Sequence, residues 1–122
     1  MKKPNHTGAW GEIFAARYLR DRGYDIVASN YRIRQGEIDL IAENEGFLVF
    51  AEVKARGPGA IARPAEWVDG SKQRKICHAA GAYLATHGCE KQPRFDVLEV
   101  FMDESDKLVN INHIEDAFDY IY

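Results

Sequence analysis

From Thr7 to Arg22 the apolar positions recur three and four residues apart. Trp10, Phe14 and Tyr18 form one line, with Ala15, Ala16 and Leu19 beside it. That spacing predicts an amphipathic helix, closed by Gly23 at the position just past its last turn. Glu12 lies on the stripe of Ala15, Ala16 and Leu19 and is expected to face inward, where Gly8 and Gly11 keep the surroundings small. The pattern then changes to period two. Tyr24 to Arg34 contains strand-like residues, Gln35-Gly36 makes a turn, and Glu37 to Glu43 reads as a second strand. After a turn at Asn44-Glu45-Gly46, Phe47 to Lys54 reads as a third strand, apolar on both faces and therefore expected in the middle of a covered sheet.

Gly57 to Ala65 opens with Gly57-Pro58-Gly59 and is the segment expected to be most mobile. Ser71 to about His87 predicts a second helix with Ile76, Ala79, Ala80, Tyr83 and Leu84 inward and Gly88 closing it. Arg94 to Phe101 predicts a fourth strand, Val109 to Ile111 a short fifth, and Ile114 to Phe118 a last helical turn. The order αβββαβ(β) predicts an α/β fold, a mixed sheet with helices packed on it. With 122 residues, one domain over residues 1–122 is the expectation.

Composition adds limits. The chain is 46% hydrophobic and 29% charged, as in ordinary water-soluble domains. No apolar run approaches the roughly 18 residues of a membrane span, and the basic N-terminus lacks the apolar stretch of a secretory signal, so a cytoplasmic location is expected. Cys77 and Cys89 are expected as reduced thiols, and His6, His78, His87 and His113 are too scattered to predict zinc. The net charge of −3 is unevenly placed. Residues through Arg94 carry 15 basic and 11 acidic side chains, whereas those from Phe95 carry 1 and 8. The basic excess of the first part keeps an anionic partner open; the acidic end is expected to be a solvated edge.

Chemistry concentrates where the third strand ends. Alternation puts Glu52 and Lys54 on one face, where burial is costly unless the charges are paired. A lone Glu-x-Lys is most simply a salt bridge, but the preceding hairpin adds a constraint. If Glu43 lies opposite Leu48, Ile41 faces Phe50, Asp39 faces Glu52 and Glu37 faces Lys54. The other sheet face then reads Ile38–Val53, Leu40–Ala51 and Ala42–Val49, wholly apolar. A slip of one residue mixes charge into both faces, so burial selects the first register. It also opposes two carboxylates, which repel unless a shared proton, a nearby base or a divalent cation intervenes. With Glu12 arriving from the first helix, four carboxylates meet one ammonium, and Mg²⁺ or Mn²⁺ suits such oxygen ligands. A purely structural ion-pair network is the competing account.

Asp39, followed after twelve residues by Glu52-Val53-Lys54, resembles the PD-(D/E)xK nuclease signature, with Ile38 where proline would stand. The blocks Gly8-Ala9-Trp10-Gly11-Glu12, Asn30-Tyr31-Arg32, Gly36-Glu37-Ile38-Asp39-Leu40-Ile41, Phe50-Ala51-Glu52-Val53-Lys54-Ala55-Arg56, Lys72-Gln73 and Arg94-Phe95-Asp96-Val97 resemble the bacterial YraN family. That family is considered related to archaeal Holliday-junction resolvases. Ala51 and Ala55, where its members often carry Val and Thr, are small departures outside the implied chemistry. The resemblance implies a restriction-endonuclease-like three-layer core and a Mg²⁺- or Mn²⁺-dependent endonuclease acting on DNA, including branched or junction DNA. It implies Asp39, Glu52 and the Val53 carbonyl as metal ligands, with Glu12 as an additional or water-mediated one. Lys54 would orient or deprotonate the attacking water, and Glu37 would hold Lys54 or serve a second metal.

Candidate nucleic-acid contacts are Lys72, Gln73, Arg56, Arg32 and Arg34, together with Arg63, Arg74 and Lys75. Taken alone, each arginine and lysine is expected to be a solvated surface charge, except Lys72, which with Gln73 matches the family pattern. Trp10, Tyr31 and Trp67 have rings that could stack on bases, but packing is their expected use. Two other classes compete with a nuclease: a non-catalytic nucleic-acid-binding module on the same fold, and a protein-interaction module docking through the acidic end. RNA is open as a partner beside DNA. A homodimer is what symmetric cutting of two strands would require, although no heptad or apolar patch marks a dimer face.

Overall fold

The computed structural model describes residues 6–59, 69–88 and 90–120, with side chains from residue 8 onward. Helix α1 (His6–Asp21) leads into strands β1 (Asp25–Ile33), β2 (Gly36–Glu43) and β3 (Phe47–Arg56). Helix α2 (Gly70–His87) and strands β4 (Gln92–Met102) and β5 (Leu108–Phe118) follow. Of the predicted mobile segment, residues 60–65 lie outside the described residues, as do Trp67 and Cys89.

The five strands form one sheet in the order β1-β2-β3-β4-β5. Only the β3–β4 pair is parallel; the others are antiparallel. This follows from connection lengths: short turns join antiparallel neighbours, whereas the crossover through α2 returns the chain parallel to β3. β3 is central, as its two apolar faces require. One face carries Leu40, Ala42, Val49, Ala51, Leu98 and Val100 against Ala15, Ala16 and Leu19 of α1. The other carries Ile41, Leu48, Phe50 and Phe95 against Ile76, Ala79, Ala80 and Tyr83 of α2. The result is a three-layer α/β domain.

Helix α1 buries Ala15, Ala16 and Leu19 most deeply, with Phe14 and Tyr18 partly buried at the edge of the same cluster. Trp10 is 40% exposed, stacked on Phe14, while Ala15 and Leu19 are fully buried. A Cβ on Gly11 would meet the Ala55 Cβ at 3.0 Å, so glycine is what lets the start of α1 close on β3. Gly23 ends α1 at φ 89°, and the N–H of Tyr24 returns to the Leu19 carbonyl at 3.0 Å. Helix α2 begins one residue earlier than predicted because Asp69 caps it, accepting the Lys72 N–H at 2.8 Å.

Two expectations are corrected. Ile114–Phe118 is not a helical turn: β5 continues to Phe118 through a bulge at Asp116, φ 53°, with Ile114 opposite Val97 and Phe118 opposite Phe95. Its mixed polarity hides a strand that the hydrogen-bond ladder of β4 recruits. Ile38 does not share a face with Leu40 and Ala42, but joins the cluster under α2. The switch falls at the level of Asp39 and of Asn30 on the neighbouring strand, where Asn30 takes φ 51°. Period-two alternation holds only along an unkinked strand.

Candidate functional site

The β2–β3 pairing has the register that burial selects, with Glu43 opposite Leu48, Ile41 opposite Phe50 and Leu40 opposite Ala51. The ladder stops there. One step further, Asp39 turns its carboxylate into the gap and Oδ2 accepts the Val53 N–H at 2.8 Å. The carbonyl of an extended residue lies on the same strand edge as its N–H, so the Val53 carbonyl borders this gap too. Asp39 and Glu52 line the same gap, and the nearby Asp39 charge makes the Glu52 carboxyl harder to ionise.

The cleft at this gap encloses about 500 Å³ and is lined by Gly8, Ala9, Glu12, Asp39, Glu52, Val53, Lys54, Ala55 and Lys72. Three elements therefore supply its charges: α1 gives Glu12, the splayed β2–β3 pair gives Asp39, Glu52 and Lys54, and the first turn of α2 gives Lys72. Burial pushes the Glu52 carboxyl up to about 7, reinforced by the nearby Asp39 charge. Burial also raises Asp39, against the lowering pull of the Val53 N–H and Glu52. Glu12 is raised by burial, although Asn30 Nδ2 donates to its Oε2 at 3.3 Å.

The two lysines behave differently. Lys54 is lowered by burial first and then by the charge of Lys72. Lys72 meets a burial penalty as well, but its hydrogen bond and charge attraction to Glu52 prevail and raise it. Its Nζ lies 2.5 Å from Glu52 Oε1, with the lysine side chain 45% exposed and the glutamate 6%. Lys54 and Lys72 line the same cleft, so their charges repel across it.

The donor chemistry fits a hard divalent cation. Two carboxylates in one solvent-open cleft with a backbone carbonyl at its edge are the kind of set that Mg²⁺ or Mn²⁺ accepts. Among the described residues no three His, Cys, Asp or Glu side chains converge closely enough to hold one ion. Glu12 shares the cleft without completing such a trio.

Other expected residues have partners of their own. Glu37 does not reach for Lys54; Arg32, its cross-strand neighbour, donates from Nε at 3.1 Å and from Nη2 at 3.0 Å. Arg56 donates from Nε and Nη2 to Glu99 Oε2, each at 3.3 Å, and Asn112 holds the other Glu99 oxygen at 2.9 Å. Arg56 is thus engaged in balancing a fully buried carboxylate. A second cleft of about 570 Å³ adjoins the first; Arg32, Arg34, Lys72 and Lys75 line it together with the carboxylates of Glu37 and Asp69. Arg34 and Lys75 are both exposed, and Gln73 is half-buried in the first turns of α2. Tyr31 packs edge-on against Tyr83, as a packing residue would. Arg63 lies outside the described residues.

Sequence reasoning missed two contacts. Asn30 steadies Glu12, and its signal was an asparagine inside a strand pattern, the residue type that best tolerates φ above zero. The Lys72–Glu52 pair had no local signal, because 19 residues and a crossover separate the partners. By contrast, the Arg94-Phe95-Asp96-Val97 block is architectural. Arg94 forks onto Asp96 with two bonds of 2.8 Å and reaches the Tyr24 hydroxyl at 2.7 Å, while His113 Nε2 lies 2.7 Å from Asp96. No helix among the described residues is long and apolar enough to cross a membrane.

A family model described as "Uncharacterised protein family UPF0102" matches residues 11–100, a span that takes in Glu12, the whole β2–β3 site and Lys72. A UPF0102 protein of Caldanaerobacter subterraneus is 43% identical over 97% of this chain and 100% of its own length. One from Chlorobium chlorochromatii is 44% identical over 97% of both chains. A third, from Symbiobacterium thermophilum, is 50% identical over 77% of this chain and 80% of its own. Identity at this level along nearly the full length places the chain in the UPF0102 family, the bacterial YraN family whose sequence blocks it carries.

Proposed function

We propose that this protein is a metal-dependent endonuclease hydrolysing phosphodiester bonds in DNA, with branched DNA among its substrates, on a restriction-endonuclease-like core. One observation carries the reading: the carboxylates of Asp39 and Glu52 converge in an open cleft that Glu12, Val53, Lys54 and Lys72 also line. A structural ion-pair network would match each carboxylate with a cation, whereas here Lys72 covers Glu52 and Asp39 accepts only the Val53 N–H among the hydrogen bonds described, at the edge of an open cleft. The order αβββαββ around a central mixed sheet supports the fold-level part of the reading.

Asp39, Glu52 and the Val53 carbonyl would hold Mg²⁺ or Mn²⁺, with Glu12 acting through water. Such an ion supplies an acidified water and offsets charge on the phosphate. Lys54, lowered by burial and by Lys72, is suited to accept a proton from the attacking water or to orient it. The adjoining basic cleft, with Arg32, Arg34 and Lys75, supports an anionic strand running past the carboxylates.

The test is a cleavage assay with Mg²⁺ or Mn²⁺ on single-stranded, duplex, flap and four-way-junction DNA, beside Asp39→Ala. Cleavage by the natural protein that disappears in the variant supports the reading and ranks the substrates. A folded protein that cuts none of them overturns the catalytic assignment. Salt-dependent binding without cutting would then point to a nucleic-acid-binding module.

A further inference from the structure

Lys72 sits at an unfavourable place for a cation. It is the third residue of α2, where the helix end concentrates positive charge; the Asp69 carboxylate caps the backbone there by accepting the Lys72 N–H at 2.8 Å. The ammonium itself is met by Glu52, whose Oε1 lies 2.5 Å from Nζ. The lysine has a second distinction. It lines both the carboxylate cleft and the adjoining basic cleft, and among the described residues it alone is common to the two. Its ammonium therefore has two destinations within one flexible four-carbon reach: the Glu52 oxygen, or an anion lying in the groove of Arg32, Arg34 and Lys75.

We propose that Lys72 is a built-in counter-cation, which covers Glu52 while the site is without metal and transfers to a substrate phosphate when a divalent ion takes that oxygen. The inference rests on the metal-dependent reading of the site and adds coupling to it. An ion that claims Glu52 releases the ammonium toward the groove, so metal and nucleic acid favour each other's binding. By reciprocity, a strand in the groove draws Lys72 from Glu52 and opens that oxygen to the ion. Lys72 touches neither reacting atom; it is a positioning residue. No bond is made or broken in the exchange, which trades one ion pair for another.

The decisive experiment is a calorimetric titration of the full chain with Mn²⁺ alone, at one mildly alkaline pH. Natural protein, Lys72→Met, Lys72→Arg and Lys75→Met are compared. Lys72→Met should bind Mn²⁺ about fivefold more tightly, the scale of a partly exposed ion pair. Lys72→Arg and Lys75→Met should match the natural protein, the first because it keeps a cation and the second because it lines only the groove. In a second arm, Ca²⁺ should strengthen binding of a single-stranded oligonucleotide to the natural protein but not to Lys72→Met. Unchanged or weaker Mn²⁺ binding by Lys72→Met, or a Ca²⁺ effect that survives in it, overturns the proposal while leaving the metal reading in place. Absence of Mn²⁺ binding in all four proteins overturns both.

Discussion

Asp39 Oδ2 accepts the N–H of Val53 at 2.8 Å, and the β2–β3 ladder ends at the residue pair before that bond. A side chain thus replaces a main-chain partner at the point where two strands must separate to admit a third body. The Asp39 carboxylate is both the wedge of the cleft and its proposed ligand. Asp39→Ala should abolish cleavage in the assay above. It should also leave the Val53 N–H without its partner, at a cost of about 1–2 kcal/mol in chemical denaturation, less whatever relief Glu52 gains from losing a like charge. Asp39→Asn keeps an acceptor and should recover part of that stability without recovering cleavage. Cleavage at the natural rate by either variant would remove Asp39 from the chemistry.

The Glu52 carboxyl, pushed up to about 7 by burial and by Asp39, implies a definite slope of stability with pH. Its folded pKa lies above the unfolded value, so between the two the folded state holds a proton that the unfolded state has lost. Stability from this group is complete below the unfolded carboxylate pKa and is lost as pH rises toward and through 7. Thermal melts without divalent ions should therefore fall by several degrees from pH 5 to pH 8, and Glu52→Gln should flatten the fall. Adding Mn²⁺ at the alkaline end should restore the natural protein and not the variant. A natural protein whose melting point rises over that interval would contradict the assignment.

Asp96 is fully buried and receives Arg94, His113 and the Asp116 N–H. Burial alone would raise its carboxyl, but those donors outweigh burial and lower it, so its stabilisation is lost as pH falls through the acid range. Asp96→Ala strands a buried guanidinium and should cost about 3–5 kcal/mol in urea denaturation. At a temperature where the variant is still folded, nucleic-acid affinity should be unchanged, because the network touches neither cleft. A loss of affinity without a loss of stability would assign this block to the site instead.

A Cβ built on Gly36 would lie 1.9 Å from the carbonyl oxygen of Lys75, a main-chain atom that has nowhere to move without carrying α2 along. Gly36→Ala should therefore destabilise by about 1–3 kcal/mol and displace the start of α2. Because that turn carries Lys72, cleavage should weaken more than the loss of folded protein explains. Rates measured per folded molecule, with the fraction folded taken from circular dichroism, separate the two effects.

Arg34 and Lys75 line the basic cleft and are exposed, so removing either should weaken oligonucleotide binding alike for all sequences. The slope of log affinity against log salt should become shallower by about one for each residue that contacts a phosphate. Arg56, held by Glu99, should behave differently, with Arg56→Ala lowering stability through the stranded glutamate. An unchanged slope in the Arg34→Ala, Lys75→Ala double variant would place the strand elsewhere.

The register of the β2–β3 hairpin was legible without coordinates because alternation lets only one pairing keep charge out of both buried faces. The same reasoning put β3 at the sheet centre and brought Asp39 to Glu52, and the spaced blocks identified the family. Helix ends were readable at Gly23 and Gly88, where the chain needs a residue tolerant of positive φ. What only the tertiary structure decided were the partners of charges far apart in the chain: Lys72 with Glu52, Arg56 with Glu99, Glu37 with Arg32 rather than Lys54. It also decided the course of β5 and the face taken by Ile38. Apolar periodicity is a local and directional code, since each residue's face follows from its neighbours. Charge is neither: any lysine will satisfy any glutamate, and which one arrives depends on how a crossover helix packs across the sheet.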